Sequence, residues 1–416
     1  MVKKLYRSEH FSYYFILFYC LIITILSICT ADFTELIIGL KKIILESDIL
    51  ITDYMKLAGI GSAFLNSSLV LTSLIFILIK LNVNPNGAIL AGLFTTAGFS
   101  LFGKNIVNIW PIILGIYLYS KYEKVPFTNY ILIVLFGTTL APTVSIELFP
   151  NNLPLFFSLV LTVLLSTFLG FILPAMASYT LKLHQGYSLA NVGLAGGLIG
   201  TALASIFTAL GIEFEKKLLW STENNNLLLV LLLFLFGSMI LLGIISNKNW
   251  LKDLKKLYKL SGRLVTDFFT IFGQSVTFIN MGILGIFCTL FIILINGDLN
   301  GATLSGIFTV VGFGSFGKHI KNIFPIIIGA VLAAIVGIWE LNSPSMLLGI
   351  LFSTTLCPIA GSFGWFCGII AGFMHICMVM NIGYLHGGMN LYHNGFAAGF
   401  VAMILVPIIT AIRKEK

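Results

Sequence analysis

The chain has 416 residues, of which 58% are hydrophobic and 10% charged, with a mean hydropathy of +1.02. A soluble protein of that composition would expose apolar patches large enough to aggregate, and several uncharged runs exceed the roughly 18 residues that read as a membrane span. The formal net charge is +8, but the basic residues sit in short clusters between apolar runs, which is the topogenic pattern of a membrane protein and excludes a nucleic-acid surface.

Taken in order, the apolar runs of the first half lie at 11–30, 57–81, 87–103, 108–121, 129–148, 154–178 and 188–209. Those of the second half lie at 226–246, 269–295, 301–317, 322–339, 345–360, 363–383 and 394–412. The opening run follows Lys3, Lys4 and Arg7 and resembles a secretory signal, but it is long for one and has an internal counterpart at Leu227–Ile245. It is therefore read as part of the fold. The six cysteines (Cys20, Cys29, Cys288, Cys357, Cys367 and Cys377) all fall in apolar runs without paired metal spacing and read as buried free thiols.

The two halves are copies of each other. NGAILAGLFTTAGFSLFGKNIVNIWPIILG at 86–115 returns as NGATLSGIFTVVGFGSFGKHIKNIFPIIIG at 300–329, with nineteen of thirty positions identical and no gap. The same register relates Asp53 to Asp267, Gly59 to Gly273 and Asn66 to Asn280. Further on, TTLAP at 138–142 faces TTLCP at 354–358, and HQGYSLANVGLAGG at 184–197 faces HGGMNLYHNGFAAG at 386–399. The chain thus divides into a repeat over 1–210, a linker over 211–225 and a second repeat over 226–416.

Charge bias sets the expected orientation. The connection 31–56 is net acidic, carrying Asp32, Glu35, Glu46, Asp48 and Asp53 against Lys41, Lys42 and Lys56. Its counterpart 247–263 carries Lys248, Lys252, Lys255, Lys256, Lys259 and Arg263 against Asp253 alone. Reversed bias at equivalent places predicts reversed orientation. The expected fold is all-α and polytopic, about 14 membrane segments as two inverted seven-segment repeats, with segments three and ten short or broken. Both termini would be cytoplasmic, the C-terminus by Arg413, Lys414 and Lys416, in the cell membrane.

Inverted repeats are a common plan of secondary transporters, whose solute site lies at the repeat interface near the midplane. The best-matched segments are then the candidate site: Phe94, Thr95, Gly98, Phe99 and Lys104, with Phe308, Thr309, Gly312, Phe313 and Lys318. Thr95 and Thr309 supply hydroxyls and Phe94 and Phe308 an aromatic wall. The glycines permit either close helix packing or an irregular backbone with amides open to an anion. The lysines, one at each mouth, would attract anions or else snorkel at helix ends. Asn66 and Asn280 are buried amides for a ligand or a neighbouring helix. Asp53 and Asp267, the only acids repeated at equivalent places, are N-caps or ion-coupling groups. His184 and His386 are candidates for proton relay, whereas His375 and His393 have no counterpart.

Catalytic signatures (a phosphate loop, H-E-x-x-H, G-x-S-x-G, paired cysteines) do not occur, so neither an enzyme, a cofactor nor a metal is expected. The pattern NGAxLxGxFTxxGF…FGK…NIxPIIxG, with NLYHNGFAAGF at 390–400, resembles a family of prokaryotic multi-pass membrane proteins that is catalogued as a domain of unknown function. Asn-Gly pairs at Asn86, Asn300 and Asn394 among small-residue helices are similar to patches of urea transporters, and the seven-plus-seven layout looks like that of nucleobase and anion transporters. The resulting expectation is a secondary transporter for a small polar or anionic solute. A urea-type passive channel, a membrane-embedded enzyme and a scaffold are the alternatives. The lipid bilayer and the solute are the expected partners, with a homo-oligomer left open.

Overall fold

The computed structural model describes residues 10–145, 154–212 and 217–414. Lys3, Lys4, Arg7 and Lys416, which carry part of the orientation argument, and part of the linker 211–225 lie outside the described residues. The described residues are helical, with a single isolated β-bridge from Thr52 to Leu219. Among the described residues, nine helices are long and apolar enough to cross a membrane, and four shorter apolar ones accompany them. Exposed Phe, Leu, Ile and Val side chains such as Leu164, Val230 and Ile335 cover the outside, where only lipid would meet them without cost. The molecule is a membrane protein.

In chain order the first half contains α1 (Phe11–Thr30), α2 (Phe33–Leu45), α3 (Tyr54–Lys80), α4 (Gly87–Phe99), α5 (Trp110–Tyr122), α6 (Ile131–Gly137), a single turn α7 (Pro142–Ser145), α8 (Leu155–His184) and α9 (Asn191–Ala209). The second contains α10 (Asn225–Ser246), α11 (Trp250–Leu257), α12 (Phe268–Leu294), α13 (Gly301–Phe313), α14 (Ile320–Val336), α15 (Pro344–Ser353), α16 (Cys357–Phe363), α17 (Trp365–Ile382) and α18 (His393–Lys414). Every apolar run named above falls on one or two of these helices, except that 146–148, the end of the run 129–148, lies outside the described residues. The two charged connections are corrected: they are not plain loops but carry the helices α2 and α11. Helix α11 places Leu254 and Leu257 inward and its lysines outward, as an amphipathic surface helix does.

Equivalent residues start and bend equivalent helices. Asp53 and Asp267 cap α3 and α12, accepting from Met55 N at 3.0 Å and Thr270 N at 2.8 Å. Asn86 and Asn300 cap α4 and α13, accepting from Ile89 N at 2.9 Å and Thr303 N at 3.0 Å. Within α3 and α12 the chain bends at Gly59 (φ 81°) and Gly273 (φ 76°), a left-handed conformation in which glycine alone is unstrained.

Helices α4 and α13 form the centre and run antiparallel. A Cβ on Gly98 would lie 2.5 Å from Ser305 Cα, and one on Gly312 would lie 3.1 Å from Ala91 Cα. These contacts exchange when 214 is added to one partner and subtracted from the other. Within each copy an equivalent bond recurs: Tyr54 N donates to Leu101 O at 3.2 Å in the first and Phe268 N to Ser315 O at 3.0 Å in the second. Helices α9 and α18 meet in a second reciprocal contact, with Gly193 and Gly395 each placing a would-be Cβ about 3 Å from the other's Cα (3.0 and 3.1 Å).

Candidate functional site

The best-matched segments do not face each other across a gap. Small residues let α4 and α13 touch along their length, and Phe94 meets Phe308 edge to face at 6.3 Å. These two rings line a narrow, largely apolar space with Phe15, Tyr19 and Leu235. The glycines Gly98 and Gly312 therefore act by close approach, and both helices are continuous.

The opposite face of the pair borders a cavity of about 350 Å³. Thr95 and Thr309 line it, with Phe99 and Phe313, Phe136 and Phe352, Leu189 and Leu391, and Gly193 and Gly395. Each of these pairs consists of corresponding positions in the two copies. Asn191, Asn394, Thr355, Tyr130 and Tyr392 add neutral polar groups. The Thr95 hydroxyl is buried and has no hydrogen-bond partner, whereas Thr309 Oγ1 donates to Ser305 O at 2.7 Å. A buried hydroxyl without a partner costs about 1–3 kcal/mol.

Lys104 and Lys318 correct the expectation of lysines at the mouths: both are fully buried (0% exposed). Lys104 Nζ donates to the Tyr392 hydroxyl at 2.7 Å and lies 4.8 Å from the centre of that ring. Lys318 Nζ donates to Thr354 Oγ1 at 2.8 Å, with the Phe313 ring at 5.3 Å. No carboxylate pairs with either one among the described residues. Both amino groups stand directly behind cavity walls. Tyr392 corresponds to Ala190 in the first copy, so the two lysines are not held alike.

Asn66 and Asn280 do not line the cavity. Asn66 Nδ2 donates to Ser100 O at 2.7 Å and Lys104 O at 2.9 Å, and Asn280 Nδ2 donates to Gly314 O at 2.7 Å and Lys318 O at 2.8 Å. They hold the turns that carry the lysines. The aspartates also bridge the copies: Asp53 accepts from Gly301 N at 3.2 Å and Ser221 N at 3.0 Å, and Asp267 accepts from Gly87 N at 3.0 Å. The amides at the starts of α4 and α13, which the glycine-rich sequence suggested for an anionic ligand, are thereby occupied by the protein's own carboxylates. His184 Nε2 contacts Asn191 Oδ1 at 3.0 Å, and His386 Nε2 contacts His393 Nδ1 at 2.8 Å.

One polar centre escaped the sequence reading. The fully buried Asp48 accepts from Tyr54 Oη at 2.6 Å, Ser145 Oγ at 2.7 Å, Asn108 Nδ2 at 2.8 Å and Asn105 Nδ2 at 3.1 Å. Burial pushes its carboxyl up to about 7. Its counterpart is Gly262, and there the Ser261 carbonyl receives Asn322 Nδ2 at 3.3 Å instead. An acid present in one copy alone leaves no trace in a comparison of the copies. No group of three His, Cys, Asp or Glu side chains fit to hold a metal ion occurs among the described residues.

No curated protein matches the chain. No solved structure matches it either. A family model described as a protein of unknown function, DUF1576, matches residues 33–209 and 246–411. That match covers most of both copies, and the chain belongs to the DUF1576 family of membrane proteins.

Proposed function

We propose that this protein is a secondary transporter built from two inverted seven-segment repeats, and that its solute occupies the cavity beside α4 and α13. The observation that carries the reading is the pairing of cavity-lining residues: Thr95 with Thr309, Phe99 with Phe313, Gly193 with Gly395. Alternating access needs a site that both halves share, because each half must be able to close over it in turn. The exchange symmetry of the α4–α13 contacts and the opposed charge of the connections 31–56 and 247–263 support the inversion.

The walls indicate the solute class. Phe99, Phe136, Phe313, Phe316 and Phe352 offer flat apolar faces, Thr95, Asn191, Thr355 and Asn394 offer neutral hydrogen bonds, and no charged side chain lines the space. Lys104 and Lys318, behind Tyr392 and Phe313, are the basic groups with which an anion in the space would pair. The solute is an organic anion with a compact, flat body, larger than urea, and the broad aromatic cavity weighs against a urea-type file of polar groups.

Thermal unfolding of the purified protein in detergent tests this, since a bound solute stabilises the state it occupies. Benzoate is expected to raise Tm more than benzyl alcohol, benzylamine should not raise it, and Thr95→Phe should abolish the benzoate effect by filling the cavity. An equal response to all three compounds, or a benzoate shift that survives Thr95→Phe, would remove the site.

A further inference from the structure

The last motif of each copy brings a histidine to the residue seven positions later, and the two copies differ at that second position: Asn191 in the first, His393 in the second. The surroundings are otherwise equivalent. Asn191 Nδ2 donates to Ala177 O at 2.8 Å, and His393 Nε2 lies 2.9 Å from Val379 O, the corresponding carbonyl. His184 and His386 approach these residues at 3.0 and 2.8 Å. The second copy has thus kept the hydrogen-bond geometry and replaced an amide by a titratable ring.

The proton positions follow from the partners. Val379 O only accepts, so His393 Nε2 carries hydrogen, and in a neutral ring its Nδ1 is then the acceptor. His386 Nε2 must donate to that nitrogen, which leaves His386 Nδ1 as a bare lone pair. That atom is buried and has no hydrogen-bond partner. In the first copy, by contrast, the equivalent His184 Nδ1 receives Ser188 N at 3.4 Å. The second copy therefore contains a two-ring chain with one open basic end.

The groups around the pair supply no counter-charge. The turn Gly383–His386 packs on α9 and α17, and His386 touches His393 and Phe396 of α18, which packs in turn on α8, α15 and α16. Helices α9 and α15 have no ionisable side chain. Helix α17 brings Cys367, His375 and Cys377, α16 brings Cys357, α8 brings Tyr179, Lys182 and His184, the turn brings Tyr384, and α18 ends in Arg413 and Lys414. His375 donates its Nε2 to Asn394 Oδ1 at 3.1 Å. There is no Asp or Glu on any of these elements. A positive charge arriving here finds only neutral or basic neighbours.

We propose that His386 and His393 form a proton-binding site that takes up one proton between them, and that this proton is the coupling ion of the transport cycle. The proton adds to His386 Nδ1, and the Nε2 hydrogen can pass to His393 Nδ1 while His393 keeps its bond to Val379 O. One proton is gained and none is lost. In the resting arrangement the added N–H has no acceptor, so loading the site favours a different packing of the Gly383–His393 connection against α9. That is the differential affinity a coupling ion needs in order to shift a two-state equilibrium. The coupling half rests on the transport reading, and the proton-binding half does not.

The test uses full-length protein in detergent and needs no solute. His393→Asn installs the residue that the first copy already uses in the same geometry. The Tm difference between wild type and His393→Asn is expected to change by several degrees between pH 7 and pH 5, the wild type losing more on acidification. A constant difference overturns the site. Ring-¹⁵N-histidine spectra of the wild type give a second reading that is independent of any variant. Two rings should show the paired tautomers at pH 7.5 and change together on acidification by one proton in all; no change, or two independent full protonations, overturns it. A positive titration with no benzoate binding would leave the proton site standing and remove the proposed solute.

Discussion

Gly87 N donates to the two carboxylate oxygens of Asp267 at 3.0 and 3.2 Å, so the first helix of the repeated stretch in one copy begins on a carboxylate of the other. Gly301 and Asp53 repeat the contact at 3.2 Å. Each aspartate thus caps its own helix and its partner copy's helix together, which ties the two repeats at both ends of the α4–α13 pair.

Removing such a carboxylate strands more than one amide. A lost N-cap costs about 1 kcal/mol, and Asp53 also serves Gly301 and Ser221 from a fully buried position. Asp53→Ala should therefore lower Tm clearly more than Asp267→Ala, whose carboxylate is half-buried. Thermal unfolding in one detergent compares them, and an Asp53→Ala protein as stable as wild type would refute the bridging role.

The contact between α4 and α13 leaves no room for side chains at its glycines. Because a Cβ on Gly98 would sit 2.5 Å from Ser305 Cα, Gly98→Val must push two backbones apart, at a cost of about 1–3 kcal/mol. Gly211→Ala offers a comparison, since no atom lies within 4 Å of the added Cβ, although its φ of 78° carries a modest strain of its own. Size-exclusion profiles and Tm should show Gly98→Val as the more damaging of the two.

Lys104 and Lys318 are buried without a carboxylate partner, and burying a charge in that way opposes folding. Replacement by an apolar side chain of similar length should accordingly hold or raise stability. Lys104→Met is expected to unfold at or above the wild-type temperature and to lose the benzoate shift. A large drop in Tm would mean that the lysine is retained for the fold and not for the solute.

Asp48 gives a pH dependence with a definite sign. Its folded carboxyl titrates near 7, raised by burial, against about 3.9 in an unfolded chain. The folded state therefore binds the extra proton between these values, and the associated stability is fully present below about pH 4 and lost as pH rises through about 7. Asp48→Asn, which cannot ionise, should start from a lower Tm and show a flatter profile over pH 4–7. Profiles of equal slope would show that Asp48 does not titrate in this range.

The sequence alone determined the apolar segments, the duplication and the aspartate caps, because each is written in short-range terms, but not the helices α2 and α11 of the charged connections. Apolar runs set helix length, and Asp53, Asn86, Asp267 and Asn300 stop the backbone from starting a helix anywhere else. The repeat of Gly98 at Gly312 left open a close approach or an irregular backbone, and only the packing of α4 on α13 decided for the approach. What faces what was decided by tertiary structure alone. Thr95 and Phe94 are neighbours in sequence, yet they look into different spaces, because α4 packs against α13 with one side and leaves another open. Lys104 reads as a helix-end lysine until the fold closes Tyr392 over it, and Tyr392 comes from the far end of the chain. His393 carried no weight as an unmatched residue, and it gains its meaning from His386 and Val379, which only the packing of α17 and α18 brings within hydrogen-bond distance. Local chemistry is legible along a chain, but partners that meet through helix packing are set by surfaces that no single segment contains.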